Sequence, residues 1–259
     1  MKSLFAISGR RPSVASQGRA GGATAGRVML PLLAGLALLA PWQASAQSAC
    51  SSDGQRTPVA LMERFISADC AGCWSAVDTP RPRPGAVALD WIVPGTLGDD
   101  APLSAAATRD AMVRLQALAQ EAPQAASTLT TRAEPAGTMR LRVALGPAVT
   151  GYAGASIELR SPAPLKRPFT AWLALVETIP PGVEGSPVER NLVRNVLIPS
   201  WDGQELLSKT NRLRLIDARA MSIPAGANPE RLRVIGWVQS AHGPVSVIAQ
   251  SVCAPAGQR

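Results

Sequence analysis

Histidine is nearly missing from this chain of 259 residues; His242 is the one present, and it sits between turn residues in "SAHGP". With a single imidazole there is little basis for a Ser-His-Asp triad. A zinc site is short of ligands too, since zinc takes four donors, or three and a water, and no metal is expected. No glycine-rich phosphate loop is present. Trp74 rather than histidine directly follows Cys73, which excludes a c-type haem attachment motif. Tyrosine is as scarce, one residue against six tryptophans. No cofactor is implied by any of these patterns.

Long apolar runs are also scarce. Val28–Ala40 is about 13 residues, short of the roughly 20 that cross a bilayer. It follows Lys2, Arg10, Arg11, Arg19 and Arg27 and precedes "ASA" at Ala44–Ala46. Basic, then apolar, then small is the order of a secretory signal peptide, expected over residues 1–46. Met29 is an alternative start. Cleavage after Ala46 removes five basic residues and no acid, so the formal +8 becomes about +3. The high pI thus belongs partly to the leader, and no nucleic-acid partner is implied. No later run reaches membrane length. The expected location is periplasmic or secreted.

Four cysteines remain after that cut. Export places them where disulfides persist. Cys50 and Cys253 stand near the two ends of the mature chain, and termini often lie close together, so a Cys50–Cys253 disulfide is expected. A lipid-anchored Cys50 is the rival reading. Cys70 and Cys73 form a C-x-x-C pair in "ERFISADCAGCWSAVD".

The mature chain changes texture along its length. After an N-terminal segment 47–56, residues 57–126 hold two strand candidates, "VALMERFIS" and "AVALDWIVPG", and one helix candidate over 104–122. Ser104 is its expected cap, with Met112, Leu115 and Leu118 on one face and Arg109, Arg114 and Gln116 among the polar positions. Between the strands, "TPRPRPG" carries three prolines, which forbid helix and shorten whatever follows Cys73. Residues 138–259 read as seven short strands beginning at Met139, Ala155, Phe169, Asn191, Arg212, Arg231 and Val245. Turn signals separate them, as in an antiparallel β-sandwich. Trp172 and Trp237 fall on alternating strands and read as core.

The cysteine pair directly follows a strand. If it opens a helix, Cys70 lies at the helix N-terminus, where unpaired N–H groups favour a thiolate, and Cys73 stands in reach to resolve a mixed disulfide. This is the logic of thioredoxin-like redox sites. Asp69 opposes it, because a neighbouring negative charge disfavours the thiolate. Three readings stay open: a redox pair, a metal ligand pair and a permanent structural disulfide. Glu63 also has two readings. It shuttles protons to a buried thiol, or it faces water from an edge strand. Trp74 adjoins the pair and is expected to cover it.

The stretch "ERFISADCAGCWSA" resembles the "ELFTSxGCSSCPPA" signature of an exported bacterial thioredoxin-like family, domain of unknown function twelve twenty-three. Glu63, Phe65, Ser67, Cys70, Cys73 and Ala76 stand at matching positions. "DWIVPGTLGDDAP" is similar to a second family segment through Asp90, Trp91, Leu97, Gly98 and Pro102. "VERNLVRNVLI", with Arg190, Asn191 and Arg194, looks like a motif of its C-terminal β-domain. Trp74 and Ser75 replace the family's two prolines, and the proline loop replaces its helix. The resemblance implies an α+β protein: a shortened thioredoxin-like half at 57–126, then an antiparallel β-sandwich at 138–259. It implies Cys70 as attacking thiol, Cys73 as resolving thiol, and Pro123 in "APQ" as the proline that presents substrate backbone. Pro123 as a simple helix stop is the alternative. The partners implied are protein thiols or disulfides of the envelope.

Overall fold

The computed structural model describes residues 50–134, 137–162, 168–201, 213–240 and 244–253. The expected signal peptide, Met29 and His242 lie outside the described residues. In chain order the elements are β1 (Cys50–Ser51), β2 (Ala60–Ser67), α1 (Ala71–Trp74), β3 (Ala86–Val93), α2 (Arg109–Ala117) and β4 (Ala126–Arg132). There follow β5 (Arg140–Val149), β6 (Tyr152–Ser161), β7 (Phe169–Ile179), β8 (Arg190–Leu197), β9 (Leu213–Ser222), β10 (Leu232–Ser240), β11 (Val245–Gln250) and β12 (Val252–Cys253). The protein is mainly β.

Two sheets hold these strands. One is antiparallel in the order β12-β1-β5-β6-β9; the other is mixed, β11-β10-β7-β8-β3-β2-β4. Within the mixed sheet β2, β3 and β8 run parallel, and β4 runs antiparallel to β2. The expected division between 126 and 138 therefore does not separate two sheets. Strands from both parts of the chain share the larger one, joined where Asp90 of β3 pairs with Leu192 of β8. The larger sheet also curls. Beyond β4, Ala133 N–H donates to Val59 O and Glu134 N–H to Val245 O, both at 2.9 Å, so that its two outer strands approach.

Period-two alternation sends side chains to opposite faces of the larger sheet. Leu173, Leu175, Val234 and Val238 pack against Val143, Ile157, Leu159 and Leu215 of the smaller sheet. The sheets pack tightly at Gly236, where a Cβ would lie 2.6 Å from Val143 Cγ1 and 3.2 Å from Ile157 Cδ1. Trp172, Val176, Ile235 and Trp237 face the other way, with Leu61, Phe65, Leu89 and Trp91, and are covered by Ala111 and Leu115 of α2. Trp172 and Trp237 are thus core residues, as expected, stacked with their centroids 5.7 Å apart.

The helix is shorter than the 104–122 expected, and its cap is Thr108, not Ser104. Ser104–Ala106 forms only a 3-10 turn. Thr108 is extended and donates its N–H to Ile92 O at 3.1 Å, which ties the chain to the end of β3 and breaks any helix running through it. Its Oγ1 accepts from Ala111 N–H. The other end closes early as a Schellman turn. Gln120 N–H donates to Leu115 O and Ala119 N–H to Gln116 O, with Ala119 at φ 51°. Pro123 lies well beyond and is not the helix stop. Nor is Met112 a core position, since it is exposed, whereas Ala111, Arg114 and Leu115 form the buried face.

Candidate functional site

At the C-terminal end of β2 the chain turns sharply. Ala68 N–H still pairs with Val93 O, Cys70 N–H donates to Ser67 O and Cys73 N–H to Cys70 O. Cys70 and Cys73 are joined as a disulfide, as are Cys50 and Cys253. The two bridges sit differently. Cys50 is buried between β12 and β5, closing the chain ends. Cys70 and Cys73 are half-buried, and Ala71 and Gly72 between them are exposed. The helix opened by the pair, α1, is a single turn without a side-chain cap. The dipole expected to favour a thiolate at Cys70 is correspondingly small.

Asp69 does not simply confront the cysteine. Its carboxylate accepts from Thr96 N–H at 2.7 Å, Thr96 Oγ1 at 2.9 Å and Leu97 N–H at 3.3 Å. Desolvation raises its pKa, but the Thr96 and Leu97 hydrogen bonds outweigh that and hold it below the ordinary carboxylate value. Gly95 leaves room for this carboxylate, which a Cβ at that position would overlap.

Behind the turn lies a buried charge cluster. Arg64 of β2, Asp90 of β3 and Arg190 of β8 are 2%, 0% and 0% exposed. Asp90 accepts from Arg64 Nη2 at 2.7 Å, Arg190 Nη1 at 2.9 Å and Asn191 N–H at 2.9 Å. Arg190 reaches onward to the cysteine turn. Its Nη2 donates to Trp74 O at 2.7 Å and its Cζ lies 4.8 Å from the Trp74 ring centroid. Trp74 Nε1 donates to Glu184 O at 2.7 Å. Trp74 therefore anchors the turn from beneath. A cavity of about 330 Å³ opens beside Cys73, walled by Arg64, Arg190, Asp78 and Thr79, with Ala126–Thr128 of β4.

Glu63 matches neither expectation. β2 is flanked by β3 and β4, so Glu63 is not on an edge, and it is 0% exposed. It faces α2 together with Leu61 and Phe65, whereas Arg64 and Ile66 face the cysteine side. Arg114 Nε and Nη2 donate to its two oxygens at 2.7 Å each, Trp91 Nε1 donates at 3.2 Å, and Arg114 Nη1 donates to Gln239 Oε1 at 2.8 Å. The sheet separates this carboxylate from the thiols. Pro123 is half-buried in the segment before β4, which Ser67 N–H ties to the end of β2 through Ala125 O. Pro123 does not line the Cys73 cavity; the first residues of β4 do.

Sequence reasoning missed Arg64 as a site residue. The signal was the adjacency of Glu63 and Arg64 inside an apolar strand. Neighbouring residues on a strand point to opposite faces, so two such charges mark a strand buried on both sides. Among the described residues, no group of three or more His, Cys, Asp or Glu is placed to hold a metal ion, and no helix is long and apolar enough to cross a membrane.

Fold and site together define a mainly β, two-sheet protein with a half-exposed C-x-x-C disulfide over a buried arginine–aspartate cluster. Neither protein-family models nor curated proteins give a match. Among solved structures, HBP35 of Porphyromonas gingivalis is similar over 80% of this chain and 79% of that chain, at 12% identity and a TM-score of 0.47. A likeness that distant carries no argument about function.

Proposed function

We propose that this is an exported, thioredoxin-like protein that carries out thiol–disulfide exchange through Cys70 and Cys73. The observation that carries the reading is the half-exposed disulfide at the mouth of a cavity, at the C-terminal end of a parallel strand. The order β2-α1-β3-α2-β4, with β2 and β3 parallel and β4 antiparallel to β2, supports the thioredoxin-like part. Loop closure supports the exchange part. A bridge across a separation of 203 residues constrains the unfolded chain by about 5 kcal/mol, but one across a separation of 3 by only about 2 kcal/mol. Cys70–Cys73 thus contributes less than half as much to stability as Cys50–Cys253.

In the exchange, a substrate thiolate attacks Cys70 Sγ, the Cys70–Cys73 bond breaks, and Cys73 leaves as a thiolate on the side of Arg64 and Arg190. A second substrate thiolate then attacks the mixed disulfide and releases Cys70. The substrate dithiol is oxidised and the protein disulfide is reduced by the same two electrons. The second reading is a permanent disulfide in a non-catalytic envelope module. The single turn of α1 and the anchoring of Trp74 favour it.

The reduction potential of the Cys70–Cys73 pair decides between them. Exchange requires a value well above about −300 mV, and a structural bridge lies below it. Insulin reduction by the wild type with dithiothreitol as electron donor, which runs the same exchange in reverse, is the expected companion result, lost in Cys70→Ser. A wild type without activity overturns the proposal.

A further inference from the structure

We propose that the cavity beside Cys73 is a binding site for a small oxyanion, either a carboxylate or an inorganic oxyanion. Three observations place it there. The buried cluster behind the cavity has two guanidiniums and one carboxylate, Arg64 and Arg190 against Asp90, and so carries a formal excess of one positive charge. A buried charge not matched by a counter-ion is costly, and an anion relieves that cost.

The second observation is the donor set. Asp90 and the carbonyl oxygens of Pro80, Glu189 and Trp74 use the Nη groups of both arginines. Arg64 Nε is different. It is buried, yet it has no hydrogen-bond acceptor among the described residues. Buried polar groups are otherwise almost always paired, and a guanidinium N–H is matched best by a carboxylate or a comparable oxyanion. Arg64 itself lines the cavity, and it also borders a second one walled by Arg81, Pro82 and Ala86–Ala88.

The third is the wall opposite. Thr128 of β4 stands in direct register with Arg64 of β2, on the same face of the sheet, and lines the same cavity. It adds a hydroxyl donor next to the guanidinium. Cys73 completes the rim, so a bound anion lies beside the disulfide. Asp78 is the one carboxylate of the cavity wall; it is exposed and opposes an anionic ligand.

The site does not depend on exchange chemistry, and the test is made on the full protein with both disulfides intact. Sodium sulfate, sodium phosphate and sodium acetate are titrated by calorimetry at constant ionic strength set with chloride. Saturable binding is expected in at least one arm. Acetate binding alone identifies a carboxylate, such as that of a thiol-bearing amino acid or peptide; sulfate or phosphate binding alone identifies a free inorganic ligand. Asp78→Asn, an exposed change that leaves the buried cluster intact, should tighten binding about fivefold. Arg64→Gln, checked for folding by its tryptophan fluorescence, should weaken it at least tenfold. Absence of saturable binding in every arm overturns the proposal, as does an affinity indifferent to Asp78→Asn.

Discussion

Removing Glu63 leaves a buried guanidinium without its counter-ion and separates the structural from the catalytic reading of this carboxylate. Two hydrogen bonds of 2.7 Å bind Arg114 to the carboxylate, and both side chains are 1% exposed. Bonds to charged groups contribute about 1.5–3 kcal/mol each, so the pair accounts for about 3–6 kcal/mol, in line with the about 3–5 kcal/mol lost when one partner of a buried pair is removed. Glu63→Gln keeps an acceptor for Arg114 and should fall near about 3 kcal/mol. Glu63→Leu also strands Trp91 Nε1 and should approach about 5 kcal/mol. Arg114→Met should cost a similar amount, because it leaves the carboxylate buried and takes the guanidinium off Trp172 and Trp237, whose ring centroids lie 4.9 and 5.0 Å away. The double variant Glu63→Leu/Arg114→Met replaces both charges by apolar groups and should recover most of the loss. Urea unfolding followed by tryptophan fluorescence measures all four proteins; a chain of this size should show melting shifts on the order of 10 °C for the single variants. Thiol exchange should be unchanged in Glu63→Gln, since the sheet stands between the carboxylate and the cysteines. Single losses below about 1 kcal/mol, or a double variant whose loss is the sum of the singles, refute the reasoning about stability. A Glu63→Gln protein of normal stability and slow exchange refutes the reasoning about position.

Cys50→Ser/Cys253→Ser should destabilise the fold by about 4–5 kcal/mol, because the bridge closes nearly the whole described chain; equal denaturation midpoints with and without reductant in the wild type would argue against this. Gly95→Ala places a methyl group on the Asp69 carboxylate and should cost about 1–3 kcal/mol, as overpacking does. Acid should loosen the same turn. The Asp69 pKa is held below its unfolded value, so its contribution is fully present above the unfolded pKa and is lost as pH falls through the depressed folded value. Hydrogen exchange at the Thr96 and Leu97 amides should rise with that titration in the wild type and not in Asp69→Asn; amides indifferent to acid refute the assignment.

Much of the strand pattern was legible because burial on one face leaves a period of two. "ASIELR" in β6 writes that alternation plainly, whereas "AWLALV" in β7, buried on both faces, reads as a continuous apolar run. β4 shows neither pattern, for a physical reason. "ASTLTTR" is an edge strand exposed along nearly its whole length, so no burial selects an apolar face, and only its pairing with β2 makes it a strand. The helix misled for the opposite reason. Residues 104–122 carry helical spacing, but a single tertiary hydrogen bond, from Thr108 to the end of β3, overrides local propensity.

The candidate site was least legible where its parts are far apart in the chain. Asp90 and Arg190 meet across 100 positions, a pairing that no local pattern encodes. Their pairing also explains why the cysteine turn belongs to both parts of the chain. β3 is buried on both faces and can hold Asp90 only if cations arrive with it. Arg64 comes from β2, but Arg190 comes from β8, and Arg190 also holds the Trp74 carbonyl under the disulfide. Glu63 repeats the arrangement on the other face, where Arg114 comes from α2 and the Gln239 that orients it comes from β10. A fragment ending near residue 126 would keep both carboxylates and lose Arg190 and Gln239, along with the strands that bury the clusters. The C-x-x-C turn is thus held by the later strands as firmly as by its own, and it is a site of the whole two-sheet protein.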